Sequence, residues 1–317
     1  TGDEYIYMAI RRPMKTPEAG TEVFDMDTLD GTPLPSYKSD FVVDMAFQRA
    51  TTGNSTPLGS RLAGKAYIVT DTSAAEAANG NWTWDFMNGR GKDTGGPTLN
   101  DYSWMFRRAP EFMEVVAYTG TGGGAGTGQT LAHNLTVVPE MMILRRRDAG
   151  ANWTVYDKDS NASPEDYGLE LNENGAASYN ANSWNRTAPT STQFTAGNNI
   201  NASGGAYIAY LFATLDGVSK VGSYTADATL TTIDCGFSAG ARFILIKRND
   251  AAGDWYYWDY SRGIVAGDDP YLLLNTNAAE VTNTDYIDPD NSGFQITAAG
   301  SSTINVDTGE YIFLAIA

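Results

Sequence analysis

Acidic residues near the carboxyl end of this 317-residue chain form its first pattern with potential for chemistry. Asp288, Asp290 and Ser292 alternate in the way that the first oxygen ligands of a calcium-binding loop do. The position that should supply the bidentate glutamate of such a loop is instead Ala299. The favoured interpretation is therefore a turn ahead of the strand-like residues 294–297, with a weak calcium site as the alternative.

Residues suited to catalysis are sparse. His133 is the single histidine and Cys235 the single cysteine, which excludes an intramolecular disulfide and a histidine-based triad or metal site within one chain. Hydrolysis of a polysaccharide would need two carboxylates about 5–10 Å apart. Asp157 and Asp259 stand out because both follow an aromatic segment at equivalent repeat positions. We interpret them as turn-forming caps, and we predict no catalytic residue and no cofactor.

Aromatic side chains favour binding over reaction. Residues 255–258 form a run of four aromatics, and the alternation of a strand directs two of them away from any one core. The outward pair is a candidate for stacking on sugar or on a neighbouring subunit, but the favoured interpretation is a position in the core and at a domain junction. The run 82–84 offers a similar candidate. The candidate binding residues are Trp82, Trp84, Trp255, Tyr256, Tyr257 and Trp258.

The sequence that contains these candidate residues has internal repeats. A strand-like apolar segment occurs four times, and its tyrosines lie 97, 105 and 104 residues apart. These tyrosines are Tyr5, Tyr102, Tyr207 and Tyr311. A fixed period of about 100 residues indicates a tandem array of small domains, each closed by one copy of this strand.

The local pattern predicts an all-β fold, because short strands alternate with turn residues about every 8–12 positions and helical patterns are almost absent. We expect three tandem β-sandwich domains, jelly-roll-like and of about 100 residues each, preceded by an orphan strand. Superposing the second and third should place Trp153 on Trp255 and Tyr207 on Tyr311. The predicted segments are a closing strand at 1–12, a linker at 13–20, a divergent first repeat at 21–110, a second repeat at 111–216 and a third repeat at 217–317.

The net charge and the lack of a long apolar run argue against nucleic acid and membrane as partners. The chain carries 21 Lys and Arg against 38 Asp and Glu, and this net charge of −17 argues against nucleic acid. No run of 18 apolar residues occurs, so we expect no membrane insertion.

Because the chain begins with a closing strand whose own domain is absent, we expect a fragment of a longer array. Residues 5–10 should pair with a sheet edge, since an unpaired apolar strand exposes its backbone hydrogen-bonding groups.

The repeats resemble a known family. The resemblance is carried by Tyr5-Ile-Tyr-Met-Ala-Ile-Arg-Arg-Pro13, Val221-Gly-Ser-Tyr-Thr225, Ile246-Lys-Arg-Asn249 with Trp255 after it, and the ending Gly309-Glu-Tyr311-Ile-Phe-Leu-Ala-Ile316. These segments are similar to a repeated domain of unknown function found in virion structural proteins, mainly tail or tail-fibre-like, of marine tailed bacteriophages. The resemblance covers nearly the whole chain and is closer in the second and third repeats than in the first. The family has no established catalytic residues.

The resemblance implies a structural protein located in a bacteriophage virion. We expect part of a tail fibre, tail tip or baseplate that contributes to host attachment. The alternatives are a virion-associated polysaccharide depolymerase and a head-decorating fibre protein. The expected partners are copies of the chain itself in a trimer, other virion tail proteins, and a host cell-surface receptor or polysaccharide. A tandem array favours attachment, because repeated units extend reach and multiply weak contacts.

Overall fold

The computed structural model describes residues 14–29, 34–78, 81–92, 101–124 and 126–317. Within these ranges the chain forms 24 strands, one α-helix and five 3-10 helices, which confirms the predicted all-β fold. The orphan strand expected at residues 1–12 lies outside the described residues. Among the described helices, none has the length and apolar character needed to cross a membrane.

The described strands fall into three consecutive sets of eight, called units 1, 2 and 3. Unit 1 contains β1 (Phe24–Thr28), β2 (Tyr37–Lys38), β3 (Met45–Ala50), β4 (Pro57–Ser60), β5 (Tyr67–Val69), β6 (Trp82–Thr83), β7 (Gly89–Lys92) and β8 (Asp101–Phe106). Unit 2 contains β9 (Met113–Thr119), β10 (Gln129–Ala132), β11 (Met141–Arg146), β12 (Thr154–Asp157), β13 (Tyr167–Glu170), β14 (Ser178–Tyr179), β15 (Gln193–Ala196) and β16 (Ala206–Phe212). Unit 3 contains β17 (Ser219–Thr225), β18 (Thr231–Asp234), β19 (Phe243–Arg248), β20 (Trp255–Asp259), β21 (Leu272–Leu273), β22 (Ile287–Asp290), β23 (Gly293–Ile296) and β24 (Glu310–Ile316).

Helices are short and connect the strands. The α-helix α1 (Ala181–Trp184) lies between β14 and β15 of unit 2. The described 3-10 helices span Gly20–Glu22, Arg61–Ala63, Pro164–Asp166, Asn198–Ile200 and Ala298–Ser302. Because α1 and these short 3-10 helices lie between strands, the sheets form the framework of the protein.

One strand order recurs in all three units. In unit 3 the large sheet runs β17-β24-β19-β20-β21, and a small sheet runs β18-β23-β22. Unit 1 repeats this order as β1-β8-β3-β4-β5 with β2-β7-β6. Unit 2 has β9-β16-β11-β12-β13-β14, and its small sheet pairs β10 with β15. In each unit the first strand therefore pairs with the eighth and the second with the seventh, a nesting that jelly-roll folds also use.

In each unit, the small sheet covers one face of the large sheet. In unit 3 this sandwich core brings Phe313 of β24 within 5.5 Å of Phe294 of β23, measured between ring centroids. Alternate residues of the same strands point to the opposite face. Those residues are buried as well: in β24 every residue from Tyr311 to Ile316 is buried, on both faces of the strand. A strand covered on both faces reads as a continuous apolar run, which explains the repeated segment in the sequence.

The second faces of the three large sheets meet in one shared core. Each unit contributes a set of buried apolar residues to it, and pairs from the three units are Phe47 with Trp104, Ile143 with Phe212, and Phe243 with Tyr257. Ring centroids of Phe47 and Tyr257 are 5.5 Å apart, and those of Phe106 and Phe212 are 6.3 Å apart. The shared core encloses an apolar cavity of about 30 Å³ lined by residues of all three units. The units therefore pack face to face around a common centre.

Equivalent contacts close the three units into a ring. At the same position of β3, β11 and β19, a buried cation donates to backbone carbonyls of the neighbouring unit. Arg49 donates to Ala278 O, Arg145 donates to Ala74 O, and Lys247 donates to Asn174 O. Backbone hydrogen bonds repeat beside them, from Glu280 N to Thr51 O at 2.9 Å, from Glu76 N to Arg147 O at 2.8 Å, and from Ala177 N to Asn249 O at 2.9 Å. Unit 1 thus contacts unit 3, unit 2 contacts unit 1, and unit 3 contacts unit 2.

The ring corrects the expectation that repeated units extend the reach of the molecule. An extended string would expose the apolar second face of every large sheet, and closure buries all three faces together. The three segments share one core, and a shared core does not show whether each segment folds as a domain of its own. The division into separate domains at 21–110, 111–216 and 217–317 therefore stays a prediction.

Trp153 and Trp255 occupy equivalent positions, as the repeat predicts. The backbone N–H of Trp153 donates to Asn172 Oδ1 at 2.8 Å, and that of Trp255 donates to Asn275 Oδ1 at 3.0 Å. Their indole Nε1 atoms donate to backbone carbonyls of the preceding unit at 2.9 and 3.0 Å. The two tryptophans therefore mark the same interface between consecutive units.

The closing-strand tyrosines are also equivalent. Tyr207 of β16 stacks on Tyr118 with ring centroids 5.0 Å apart, and Tyr311 of β24 stacks on Tyr224 at 4.9 Å. Each pair joins the eighth strand of its unit to the first. Cross-strand aromatic pairs of this kind stabilise a sheet and help to set its register.

Candidate saccharide-binding groove

The aromatic run at 255–258 is buried on both sides of its strand. Trp255 and Tyr257 lie in the shared core, while Tyr256 and Trp258 lie in the sandwich core of unit 3. Tyr256 is the most exposed of the four, at 9%. The four residues therefore present no outward pair to sugar or to another subunit, which corrects their selection as candidate binding residues and agrees with the favoured interpretation of a core and a domain junction. The second face is covered because β20 has the large sheets of other units against it.

Trp82 and Trp84 are buried in the sandwich core of unit 1, which also corrects their prediction as surface or inter-subunit residues. Their rings stack with centroids 5.5 Å apart, and the Arg90 guanidinium lies 4.0 Å from the Trp82 ring. Gly59 permits this packing, because a Cβ atom there would lie 3.1 Å from the Trp82 ring. Only an edge of Trp82 reaches the surface, at 4% exposure, and this edge lines a groove.

The groove opens on the surface of unit 1 and has a volume of about 410 Å³. Small-molecule sites have volumes of roughly 300–1,000 Å³, so the groove has room for a few sugar rings. Its lining residues are Gln48, Asn54, Ser55, Pro57, Tyr67, Val69, Asn81, Trp82 and Lys92. Strands β3 to β7, the β3–β4 turn and Asn81 directly before β6 supply these side chains, so the groove depends on the two sheets of unit 1 meeting.

Hydrogen bonds fix several of the lining side chains. Gln48 Oε1 accepts from Arg90 Nη2 at 2.7 Å, and the Lys92 ammonium lies 2.9 Å from a carboxylate oxygen of Asp101. Tyr67 extends from β5 and is partly exposed. Side chains that are held before a ligand arrives lose less conformational entropy on binding. As far as the described residues show, the groove is thus a preorganised surface with Tyr67 as its accessible aromatic ring.

The lining has the chemistry of a saccharide site. Saccharides present apolar ring faces that pack on aromatic side chains, and hydroxyl groups that exchange hydrogen bonds with amides. Tyr67 supplies an aromatic ring, and Asn54 and Asn81 supply amides. Of the whole lining, the sequence pointed only to Trp82. No short motif could have found the others, because the groove gathers residues between positions 48 and 92 from separate strands.

The calcium-loop candidate is a hairpin turn between β22 and β23, as the favoured interpretation predicts. Both the backbone N and the Oγ of Ser292 donate to Asp290 Oδ1, at 2.8 and 2.7 Å. Asp288 Oδ1 accepts from the backbone N of Gly267 at 3.4 Å. In the part of the chain that the structure describes, no three His, Cys, Asp or Glu side chains come together as a metal centre.

Asp269 makes the stability of unit 3 dependent on pH. Its buried carboxylate accepts from the backbone N of Val265 and of Ile287, at 3.2 and 3.1 Å. Burial, with nearby Asp285 and Asp288 adding to it, raises the pKa of Asp269 from 3.8 to about 7. The folded state therefore binds more protons than the unfolded state between these two values, and the free energy of unfolding falls as pH rises through this window. Below the lower value the contribution is fully present.

We expect Asp269→Asn to flatten this part of the stability profile, because asparagine does not titrate. Urea unfolding of both proteins at several pH values between about 4 and 7 measures the difference. A variant that keeps the wild-type slope would contradict the assignment.

The remaining sequence candidates have structural roles. Asp259 Oδ1 accepts from the backbone N of Arg262 at 2.9 Å, and Asp157 Oδ1 accepts from a backbone N two residues later at 2.9 Å, which confirms both as turn caps. His133 is buried, and its Nε2 lies 3.0 Å from a backbone carbonyl oxygen. Burial raises the pKa of the Cys235 thiol to about 12. These residues do not line the groove.

The comparisons with known proteins identify one family. No curated protein matches the chain. A family model described as Domain of unknown function (DUF7483) matches residues 59–317. This one match begins in β4 and continues through units 2 and 3, so a single family domain includes parts of all three units. The match extends over more than half of the sequence, and the chain therefore belongs to the DUF7483 family of domains of unknown function.

Proposed function

We propose that this protein is a structural and adhesive component of a bacteriophage virion, most suited to a tail fibre, tail tip or baseplate. In this proposal the unit 1 groove binds a saccharide of the host surface. The observation that carries it is the groove itself, where Tyr67 and an edge of Trp82 lie beside amide side chains in about 410 Å³. The resemblance of the repeats to tail-fibre-like virion proteins supports the location in the virion.

The net charge favours one class of saccharide. The chain carries a net charge of −17, which repels anionic polymers at long range. The Lys92 ammonium in the groove lies 2.9 Å from Asp101 and is neutralised by it. A neutral polysaccharide or neutral oligosaccharide head is therefore the ligand that the proposal favours.

The ring supports a mechanical role. Three sandwiches that share one core resist separation, since pulling one away exposes apolar surface of all three. A rigid support keeps the groove in one geometry, which suits attachment to a surface. Single-groove affinity is expected to be modest, and several copies in one virion would raise the overall avidity. The trimer expected from the sequence stays a prediction.

Tyr67→Ala should weaken binding of the chain to host polysaccharide by about tenfold, which corresponds to roughly 1.4 kcal/mol. The substitution removes the accessible aromatic ring of the groove, and such rings contribute about this much in a well-packed contact. Binding of purified protein to immobilised host polysaccharide measures the effect.

Tyr179→Ala is the matched control, because Tyr179 is 61% exposed and belongs to unit 2. It should bind as the wild type does. Equal binding by both variants would place the saccharide elsewhere and contradict the proposal. The same incubations are examined for new reducing ends, and their release would favour the depolymerase alternative.

A further inference from the structure

The turn after β12 holds a buried carboxylate that differs from its counterpart in unit 3. Asp157 and Asp259 end the equivalent strands β12 and β20, and both are fully buried. Asp259 Oδ2 lies 2.6 Å from Arg262 Nε and accepts from Trp104 Nε1 at 2.9 Å. Among the described residues, Asp157 Oδ2 has no hydrogen-bond partner. The same position thus forms an ion pair in unit 3 and has none in the described part of unit 2.

Two replacements account for the difference. Three residues after the carboxylate, unit 3 has Arg262 and unit 2 has Ser160. The cross-strand register places Trp104 opposite Phe47 in unit 1 and Leu314 opposite Leu245 in unit 3, so Leu314 takes the equivalent position. Neither serine nor leucine supplies a positive charge. The ammonium of Lys158 instead lies 3.0 Å from Asp159 Oδ2.

Two further oxygen atoms without partners lie in the same cluster. Ser160 Oγ and Asn249 Oδ1 belong to residues that are 5% exposed, and neither atom has a hydrogen-bond partner within the ranges that the structure describes. Asn249 Nδ2 donates to Ser160 O at 2.9 Å, and Ser160 N donates to Asp157 O at 3.1 Å. The cluster therefore joins the β12 turn of unit 2 to the end of β19 in unit 3.

We propose that this cluster binds one hard metal cation, of the class of Na⁺ or Ca²⁺, through Asp157 Oδ2, Ser160 Oγ and Asn249 Oδ1. Carboxylate, hydroxyl and amide oxygens are ligands that hard cations prefer. A buried carboxyl group stays ionised only beside a counter-charge, and buried polar atoms without partners in a protein often mark an ion or water. The cation takes the role that the Arg262 guanidinium has in unit 3, and it ties unit 2 to unit 3. This inference is independent of the proposed saccharide site.

Thermal unfolding of the full chain tests the proposal in choline chloride, sodium chloride and calcium chloride at equal ionic strength. We expect a melting temperature about 3 °C higher in sodium or calcium, once the metal reaches roughly ten times its dissociation constant. The salt that produces the rise identifies the cation. Asp157→Asn should lose the rise, while Asp307→Asn, which removes a charge from an exposed turn, should keep it.

Ser160→Arg provides the second variant, since it places a guanidinium where unit 3 has one. It should fold and show the same melting temperature in all three salts. Equal wild-type melting temperatures in the three salts would overturn the proposal, as would a rise that persists in Asp157→Asn or in Ser160→Arg. If Asp157→Asn does not fold, Ser160→Arg decides between these outcomes.

Discussion

The third unit produced alone, as residues 217–317, should not fold as a monomer. Eleven of its buried side chains belong to the shared core, namely Val218, Val221, Phe243, Leu245, Trp255, Tyr257, Leu272, Leu274, Ile312, Leu314 and Ile316. Burying each such side chain contributes about 1.5–3 kcal/mol, so exposing all of them removes on the order of 15 kcal/mol or more. Whole domains are stable by only about 5–15 kcal/mol.

Size-exclusion chromatography and circular dichroism of this fragment, beside the full chain, measure the outcome. We expect aggregated, self-associated or unfolded material. A fragment that is monomeric and unfolds cooperatively would contradict the shared core, and it would favour three independent domains at the boundaries that the sequence predicts.

Arg262→Met should lower the free energy of unfolding by about 3–5 kcal/mol, because it leaves a buried carboxylate without its cation. The Arg262 side chain is 2% exposed and contacts Asp259 at 2.6 Å and Glu280 at 2.7 Å. Its guanidinium also lies 5.4 Å from the ring centroids of Trp104 and Tyr257, so it contributes to packing between units 1 and 3. Urea unfolding at neutral pH measures the loss.

Arg248→Met is the matched control. Arg248 pairs with Asp250 at 2.8 Å, but the two side chains are 19% and 32% exposed, so its removal should cost about 1 kcal/mol or less. Combining Arg262→Met with Asp259→Leu should recover part of the loss, because the fully buried unpaired carboxylate is then gone, while Glu280 still lacks its cation and Trp104 Nε1 its acceptor. Equal losses for the two single arginine variants would show that burial of the pair has no special effect.

Much of the fold could be predicted because the repeated strands are buried on both faces. The apolar segment ending at Ile316 recurs with its neighbours at a fixed period, and residues such as Trp153 and Trp255 keep the same contacts in consecutive units. A pattern of this kind indicates strand identity and order. It does not indicate what covers the second face, because sugar, a second subunit and another unit of the same chain all suit an apolar surface.

Less of the candidate site than of the fold could be predicted from the sequence. Trp82 was identified as an aromatic with potential for binding, but its ring is covered by Trp84 and Arg90, and Tyr67 is the partly exposed aromatic of the groove. Exposure depends on which side chains from distant strands stack on each ring. The alternation of residues along one strand contains no information about that.

Short-range patterns of apolar and turn-forming residues were enough to predict the all-β class, the repeat with its closing strands, and the turn roles of Asp290 and Asp259. The sequence did not show that the three units close around one core, that Arg262 is buried against Asp259 while Asp157 has no such cation among the described residues, or that a groove opens in unit 1. These features depend on burial, and burial depends on contacts between distant residues, such as Phe47 with Tyr257 and Trp104 with Asp259. Such contacts are set by how sheets pack, and no single segment specifies them.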